Sequence, residues 1–133
     1  MHTILIVEDN PANLTLATFL LQSAGYTVVS ENNAEAGVAL AKKMQPDLIL
    51  MDIQLPGMDG LEATALLKGD ETTKAIPVIA LTALAMKGDE ERIMAAGCDG
   101  YIAKPLDYKD FLAKVARRLG GQPLTPPRPR AGV

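Results

Sequence analysis

The side chains in this sequence with the most chemical potential stand at the ends of short apolar runs. Glu8 and Asp9 follow Thr3-Ile4-Leu5-Ile6-Val7. Asp52 follows Leu48-Ile49-Leu50-Met51. Thr82 closes Ile76-Pro77-Val78-Ile79-Ala80-Leu81, and Lys104-Pro105 follows Tyr101-Ile102-Ala103. Three carboxylates brought together repel one another, and burial raises their pKa values unless something positive sits among them. Lys104 can supply a point charge on a long stem. A hard divalent cation can bridge carboxylates while keeping several waters, which is the habit of magnesium, and manganese could substitute. No second histidine and no neighbouring cysteine accompany the acids, which argues against zinc or copper.

A carboxylate can attack phosphorus and form an acyl phosphate. Phosphoryl transfer asks a protein mainly for positioning and charge neutralisation. The parts divide accordingly. Asp52 is the nucleophile and phosphoacceptor. Asp9 and Asp52, with a backbone carbonyl near Gln54, hold the metal, and Glu8 ligates it through water or orients it. The metal and Lys104 offset charge on the phosphoryl oxygens, and the Thr82 hydroxyl donates a hydrogen bond to one of them. Taken singly, each residue has a plainer reading. The acidic pair could be a helix N-terminal charge and Asp52 an N-cap. Thr82 could be an ordinary strand residue and Lys-Pro a turn. Their joint occurrence at successive strand ends favours the functional reading.

The elements that must position them follow from periodicity. The run at 3–7 is rich in β-branched residues without polar alternation, as a strand buried on both faces is, and the runs at 26–30, 48–51, 76–81 and 98–103 read as further strands. Between them lie helical patterns. Asn10-Pro11 caps the first, with Leu14, Ala17, Leu21 and Ala24 on one stripe and Gly25 as the stop. The second spans 34–44, with Ala36, Leu40 and Met44 spaced by four. The third covers roughly 61–68. The fourth, 86–96, is weakened by Gly88 and a run of charge. The last follows Asp107 and carries Tyr108, Phe111, Leu112, Val115 and Leu119 as an apolar stripe. Five βα units predict an α/β fold, a doubly wound parallel sheet of five strands in the flavodoxin-like order 2-1-3-4-5. In such a fold, ligands bind outside the C-terminal strand ends, at the switch between strands one and three.

With 133 residues, 48% of them apolar, the chain suits one domain with a real core. Residues 1–119 read as that domain, and 120–133 as a Pro-rich disordered tail. The net charge of −3 disfavours nucleic-acid or anionic-membrane partners. A lone cysteine, Cys98, precludes an internal disulfide, and its plainest role is a small, partly buried hydrophobe, with a redox sensor the lesser alternative. With neither a membrane span nor a secretion signal apparent, a cytoplasmic location is expected.

These residues together resemble the receiver domain of bacterial two-component response regulators, over about residues 2–119. Glu8 and Asp9 match the family's acidic pair, Asp52 its phosphoacceptor, Thr82 its switch hydroxyl, Tyr101 its switch aromatic, and Lys104-Pro105 its lysine and following proline. Met51 to Gly60 has the family's loop wording, and Ala85 to Arg92 looks like single-domain receivers of the DivK type. The resemblance implies that a sensor histidine kinase or a histidine phosphotransfer protein donates the phosphoryl group and that the chain catalyses only its own phosphorylation and dephosphorylation. Thr82 then moves toward the phosphate and Tyr101 turns inward. The face formed by helix four, strand five and helix five changes, as a bistable element biased by one new charge. A cis bond before Pro105 would aim Lys104. Gln54 and Leu84 sit where the family tunes phosphate lifetime, and an apolar Leu84 implies that hydrolysis is not especially fast.

No output region is recognisable after residue 119. The signal is therefore expected to leave through an unknown downstream protein or onward phosphotransfer, from a monomer or a phosphorylation-dependent dimer. A receiver cut from a longer regulator is the alternative, as is a pseudo-receiver that binds partners without phosphorylation. A haloacid-dehalogenase-type phosphatase would need an acid two residues after its nucleophile, where Gln54 stands. A flavin module would need a phosphate-cradling loop where Glu8-Asp9 stand.

Overall fold

A computed structural model describes residues 2–83, 87–104 and 106–119. Leu84, Pro105 and the segment 120–133 lie outside the described residues, so the expectations placed on them are not addressed by the fold.

Strands β1 (Thr3–Val7), β2 (Thr27–Glu31), β3 (Leu48–Asp52), β4 (Val78–Thr82) and β5 (Gly100–Ala103) alternate with helices α1 (Pro11–Ser23), α2 (Ala34–Met44), α3 (Gly60–Lys68), α4 (Lys87–Ala95) and α5 (Tyr108–Arg118). All strand pairs are parallel, and the sheet order is β2-β1-β3-β4-β5, as the alternation of elements predicts. β3 and β4 are buried at every position, and β1 at all but Thr3, because helices cover both faces. Successive side chains enter different cores. Leu5, Val7, Ile49, Met51, Val78 and Ala80 meet α2, α3 and α4 through Val38, Leu67 and Ile93. Ile4, Ile6, Leu48, Leu50, Ile79 and Leu81 meet α1 and α5 through Leu21, Phe111 and Val115.

Local signals explain most boundaries. The Asn10 side chain accepts from the Asn13 N–H at 3.0 Å, with Pro11 at the first helical position. Asn33 caps α2 by accepting from Ala36 at 2.8 Å, and Asp107 caps α5 through the Lys109 and Asp110 N–H groups. Gly25 takes φ +95° just past α1, a conformation that favours glycine.

Some expectations shift. β4 begins at Val78 rather than Ile76, because the Ile76 N–H is spent on the Thr73 carbonyl and its own carbonyl accepts from the Lys68 ammonium at 2.8 Å. β5 begins at Gly100 rather than Cys98, whose N–H closes the turn after α4 on the Ile93 carbonyl. In α2 the buried stripe is Ala34, Gly37, Val38 and Ala41, while Met44 is exposed. Tyr108, read as part of the α5 stripe, lies in the first turn and is exposed.

Candidate functional site

The sheet register builds the site. Val7 pairs with Met51, Asp52 with Leu81, and Thr82 with Ala103. Glu8, Asp52, Thr82 and Lys104 therefore emerge side by side at the C-terminal edge, where β1 and β3 lead away to opposite faces. Three of these positions are nearly inaccessible: Glu8 and Asp52 are each 2% exposed and Thr82 is 0% exposed. Asp9, one residue further out, is exposed.

Glu8, Asp9 and Asp52 present carboxylate oxygens that all lie within 4.8 Å of one another. The Lys104 ammonium reaches in from the end of β5, 2.9 Å from Glu8 Oε1 and 3.1 Å from Asp52 Oδ2. A backbone bond from the Lys104 N–H to the Thr82 carbonyl, 2.8 Å, fixes the start of that lysine's stem. Asp52 is held on both oxygens: Oδ1 accepts from the Gln54 N–H at 2.9 Å and Oδ2 from Lys104. The Glu8 carboxylate also accepts from the Asn10 N–H at 3.2 Å. Its buried Oε1 is paired with the Lys104 ammonium.

The electrostatics follow from this crowding. Burial raises the Glu8 pKa, and the neighbouring Asp52 carboxylate raises it further against the pull of Lys104. Lys104 is pushed down by burial, but its contacts with Glu8 and Asp52 outweigh that, and its pKa is raised. The ammonium stays charged at neutral pH. One cation against three carboxylates leaves an excess of negative charge. An excess of negative charge and an all-oxygen donor set at Glu8, Asp9 and Asp52 fit a hard divalent cation such as magnesium.

Glu8, Asp9, Asp52 and Lys104 come together, with the Gln54 N–H on Asp52, and Thr82 ends the strand beside them. Tyr101 stands on β5, its hydroxyl donating to the Glu90 carboxylate on α4 and its ring 5.6 Å below the Lys114 ammonium. Glu90 was not predicted, because nothing in its spacing marks it as the partner of an aromatic eleven residues away. Gly60 was read only as turn chemistry. A Cβ there would lie 2.7 Å from the Ile53 Cα and still closer to the Asp52 carbonyl, so α3 can begin beside the acceptor only with glycine at this position.

A five-stranded parallel sheet of this order, with an acidic cluster and a lysine at its C-terminal edge, defines a receiver. The chain belongs to the response regulator receiver domain family, whose model matches residues 4–116. It is 48% identical over 118 residues to the polar-differentiation response regulator DivK of Brucella anthropi, an alignment covering 89% of this chain and 96% of the relative. DivK of Brucella ovis matches at the same identity and coverage. Among solved structures, the receiver domain of the sensor histidine kinase PA1611 of Pseudomonas aeruginosa, with a magnesium ion in its active-site cleft, is 38% identical. It superposes with a TM-score of 0.84 over 90% of this chain and 98% of that one. The chemotaxis protein CheY4 of Vibrio cholerae, 26% identical, superposes at 0.83 over 88% and 98%.

Proposed function

We propose that the chain is a stand-alone response regulator whose Asp52 carboxylate accepts a phosphoryl group in a magnesium-dependent reaction. The observation that carries this reading is the Asp52 side chain itself, buried beside Glu8 and Asp9 and fixed by one donor on each oxygen. Fixing the carboxylate plane lowers the entropic cost of reaching an attacking geometry. A carboxylate oxygen of Asp52 bonds to the donor's phosphorus as the bond to the donor's histidine nitrogen, or to the oxygen of a small acyl phosphate, breaks. The leaving group departs with that electron pair. Lys104, already 3.1 Å from Asp52, is placed to follow the added phosphoryl oxygens, and the buried Thr82 hydroxyl to donate to one of them. Magnesium on Asp9, Asp52 and the Gln54 carbonyl would supply further charge neutralisation.

The donor on this reading is a sensor histidine kinase or a histidine phosphotransfer protein, and the chain catalyses only its own phosphorylation and dephosphorylation. Tyr101, bonded to Glu90, joins β5 to α4 and so links the acceptor edge to the α4-β5-α5 face. A protein contact on that face carries the signal out, consistent with a cytoplasmic protein. Incubation with acetyl phosphate, read by intact mass, tests the reading. A gain of one phosphoryl group that requires both magnesium and Asp52, and is absent in Asp52→Asn, is expected. No gain under any condition would put a pseudo-receiver in its place.

A further inference from the structure

Thr64 lies in the middle of α3 and is 0% exposed, yet neither the core nor the acceptor chemistry asks for a hydroxyl there. A buried hydroxyl costs free energy unless it is hydrogen-bonded, and a valine would fill much the same space without one. This hydroxyl is bonded twice. It donates to the Gly60 carbonyl at 2.8 Å and accepts from the Cys98 thiol at 3.8 Å.

The first bond holds the exit of the loop that follows the acceptor. The Ile53 N–H is tied to the Leu81 carbonyl on β4 at 3.2 Å, and the Gly60 N–H returns to the Ile53 carbonyl at 3.4 Å, so the loop 53–60 is closed at its base. Gly60 sits against the acceptor's own backbone, where a Cβ would stand 2.9 Å from the Asp52 carbonyl carbon. Inside the loop the Gln54 N–H donates to Asp52 Oδ1 at 2.9 Å. Asp59 and Glu62 fasten the helix start on its exposed side by bonding each other's N–H groups. Thr64 fastens it on the buried side.

A threonine inside a helix often bonds the carbonyl four residues back, and that bond alone would serve only the helix. Two features give this one a wider reach. The carbonyl belongs to the residue packed on Asp52, and the same hydroxyl is gripped by Cys98 from the turn between α4 and β5. We infer that Thr64 is a positioning residue for the acceptor loop: through Gly60, its hydroxyl sets where Asp52 and the Gln54 backbone stand, and with them the affinity of the acidic edge for a divalent cation and the rate at which Asp52 takes a phosphoryl group. The inference rests on the proposed function for that chemistry, and on the contacts of Thr64, Gly60 and Cys98 for the placement.

The test compares the full-length protein with Thr64→Val, which keeps the shape and loses the hydroxyl, and with Thr64→Ser, which keeps the hydroxyl. Thr64→Ala repeats the comparison if the valine variant fails to fold. Magnesium is titrated into each unphosphorylated protein and followed through the Gln54 and Gly60 amide resonances. Thr64→Val should raise the magnesium Kd by about tenfold, the low end of what losing a group that holds a metal ligand costs. Thr64→Ser should stay within about twofold of wild type, since its hydroxyl makes the same bond. At saturating magnesium, phosphoryl gain from acetyl phosphate should slow by about tenfold in Thr64→Val and not in Thr64→Ser, because a misplaced loop loses attacking geometry. A valine variant that is less stable in urea but keeps wild-type magnesium affinity and phosphoryl gain would show that Thr64 serves only the helix, and would overturn the inference. So would a serine variant as impaired as the valine. The magnesium titration needs no phosphodonor, which keeps the two readings apart. A wild type that binds magnesium but gains no phosphoryl group removes the proposed function, and the difference in Kd still decides the role of Thr64. A wild type that binds no magnesium removes both.

Discussion

Lys104 is the side chain on which the acidic cluster depends for charge balance. Its ammonium is shared between two carboxylates that are almost completely removed from water. Removing one partner from a buried ion pair leaves an uncompensated charge at a cost of about 3–5 kcal/mol. We therefore expect Lys104→Met to lose about 3 kcal/mol of unfolding free energy in urea at pH 7, with part of the loss recovered when Glu8→Gln removes the stranded charge. A loss below about 0.5 kcal/mol would show that water already screens the cluster. Cys98 makes a second prediction at this scale. Its thiol is buried, 3.8 Å from the Thr64 hydroxyl, and burial raises its pKa. It should not react with a disulfide reagent at pH 8 in the native protein and should react fully in urea. The acids and the lysine were legible in the sequence because each follows a strand, and the burial of Cys98 because a lone thiol packs as a small hydrophobe. The Tyr101–Glu90 bond was not, since it depends on how α4 lies against β5.

At the scale of elements, α3 shows how a helix start serves the site. Asp59 accepts from the Glu62 N–H at 2.8 Å and the Asp59 N–H donates to Glu62 at 3.2 Å, a reciprocal capping box. Asp59→Ala should cost about 1 kcal/mol of stability, measured in urea, while leaving Asp52 able to accept a phosphoryl group. Gly60→Ala is a different kind of change, because the new methyl meets backbone of the acceptor strand rather than solvent. It should lower both stability and the rate of phosphoryl gain. The central strands and the capped helices were legible from strong signals, while α4 was weakly marked because Gly88 and a run of charge interrupt its pattern. Their edges were less so. β4 starts late because the bonds of Ile76 belong to the preceding turn and Pro77 has no N–H to donate to the ladder. The α2 stripe was misplaced because alanines fill that helix, so small residues facing the sheet look like those facing water. Tyr108 shows the same ambiguity for an aromatic in a first turn, where the ring can leave the core edge.

For the whole molecule, the parallel order places every chemical group on one edge, because all strands point the same way. That is why the strand ends alone single out the residues that gather at this edge. The fold also carries a pH signature. Burial raises the pKa of the Cys98 thiol and of the half-buried Tyr26 hydroxyl, so the native state holds these protons to higher pH than the unfolded chain does. Between the unfolded and native values the native state binds more protons, so unfolding free energy must fall as pH rises. This contribution is complete below the ordinary thiol value of 9.0 and is lost above it. Thermal unfolding should therefore show a Tm that declines from about pH 9 upward, and Cys98→Ala should flatten the first part of that decline.

The central claim is that Asp52, among three clustered carboxylates, is the one that takes the phosphoryl group. Borohydride reduction of protein treated with acetyl phosphate and magnesium, followed by peptide mapping, locates the acyl phosphate directly, because it converts the modified aspartate to homoserine. Homoserine at position 52 alone, lost when magnesium is withheld, is the predicted result. Homoserine at position 9 or at another aspartate, or none anywhere, would contradict the account.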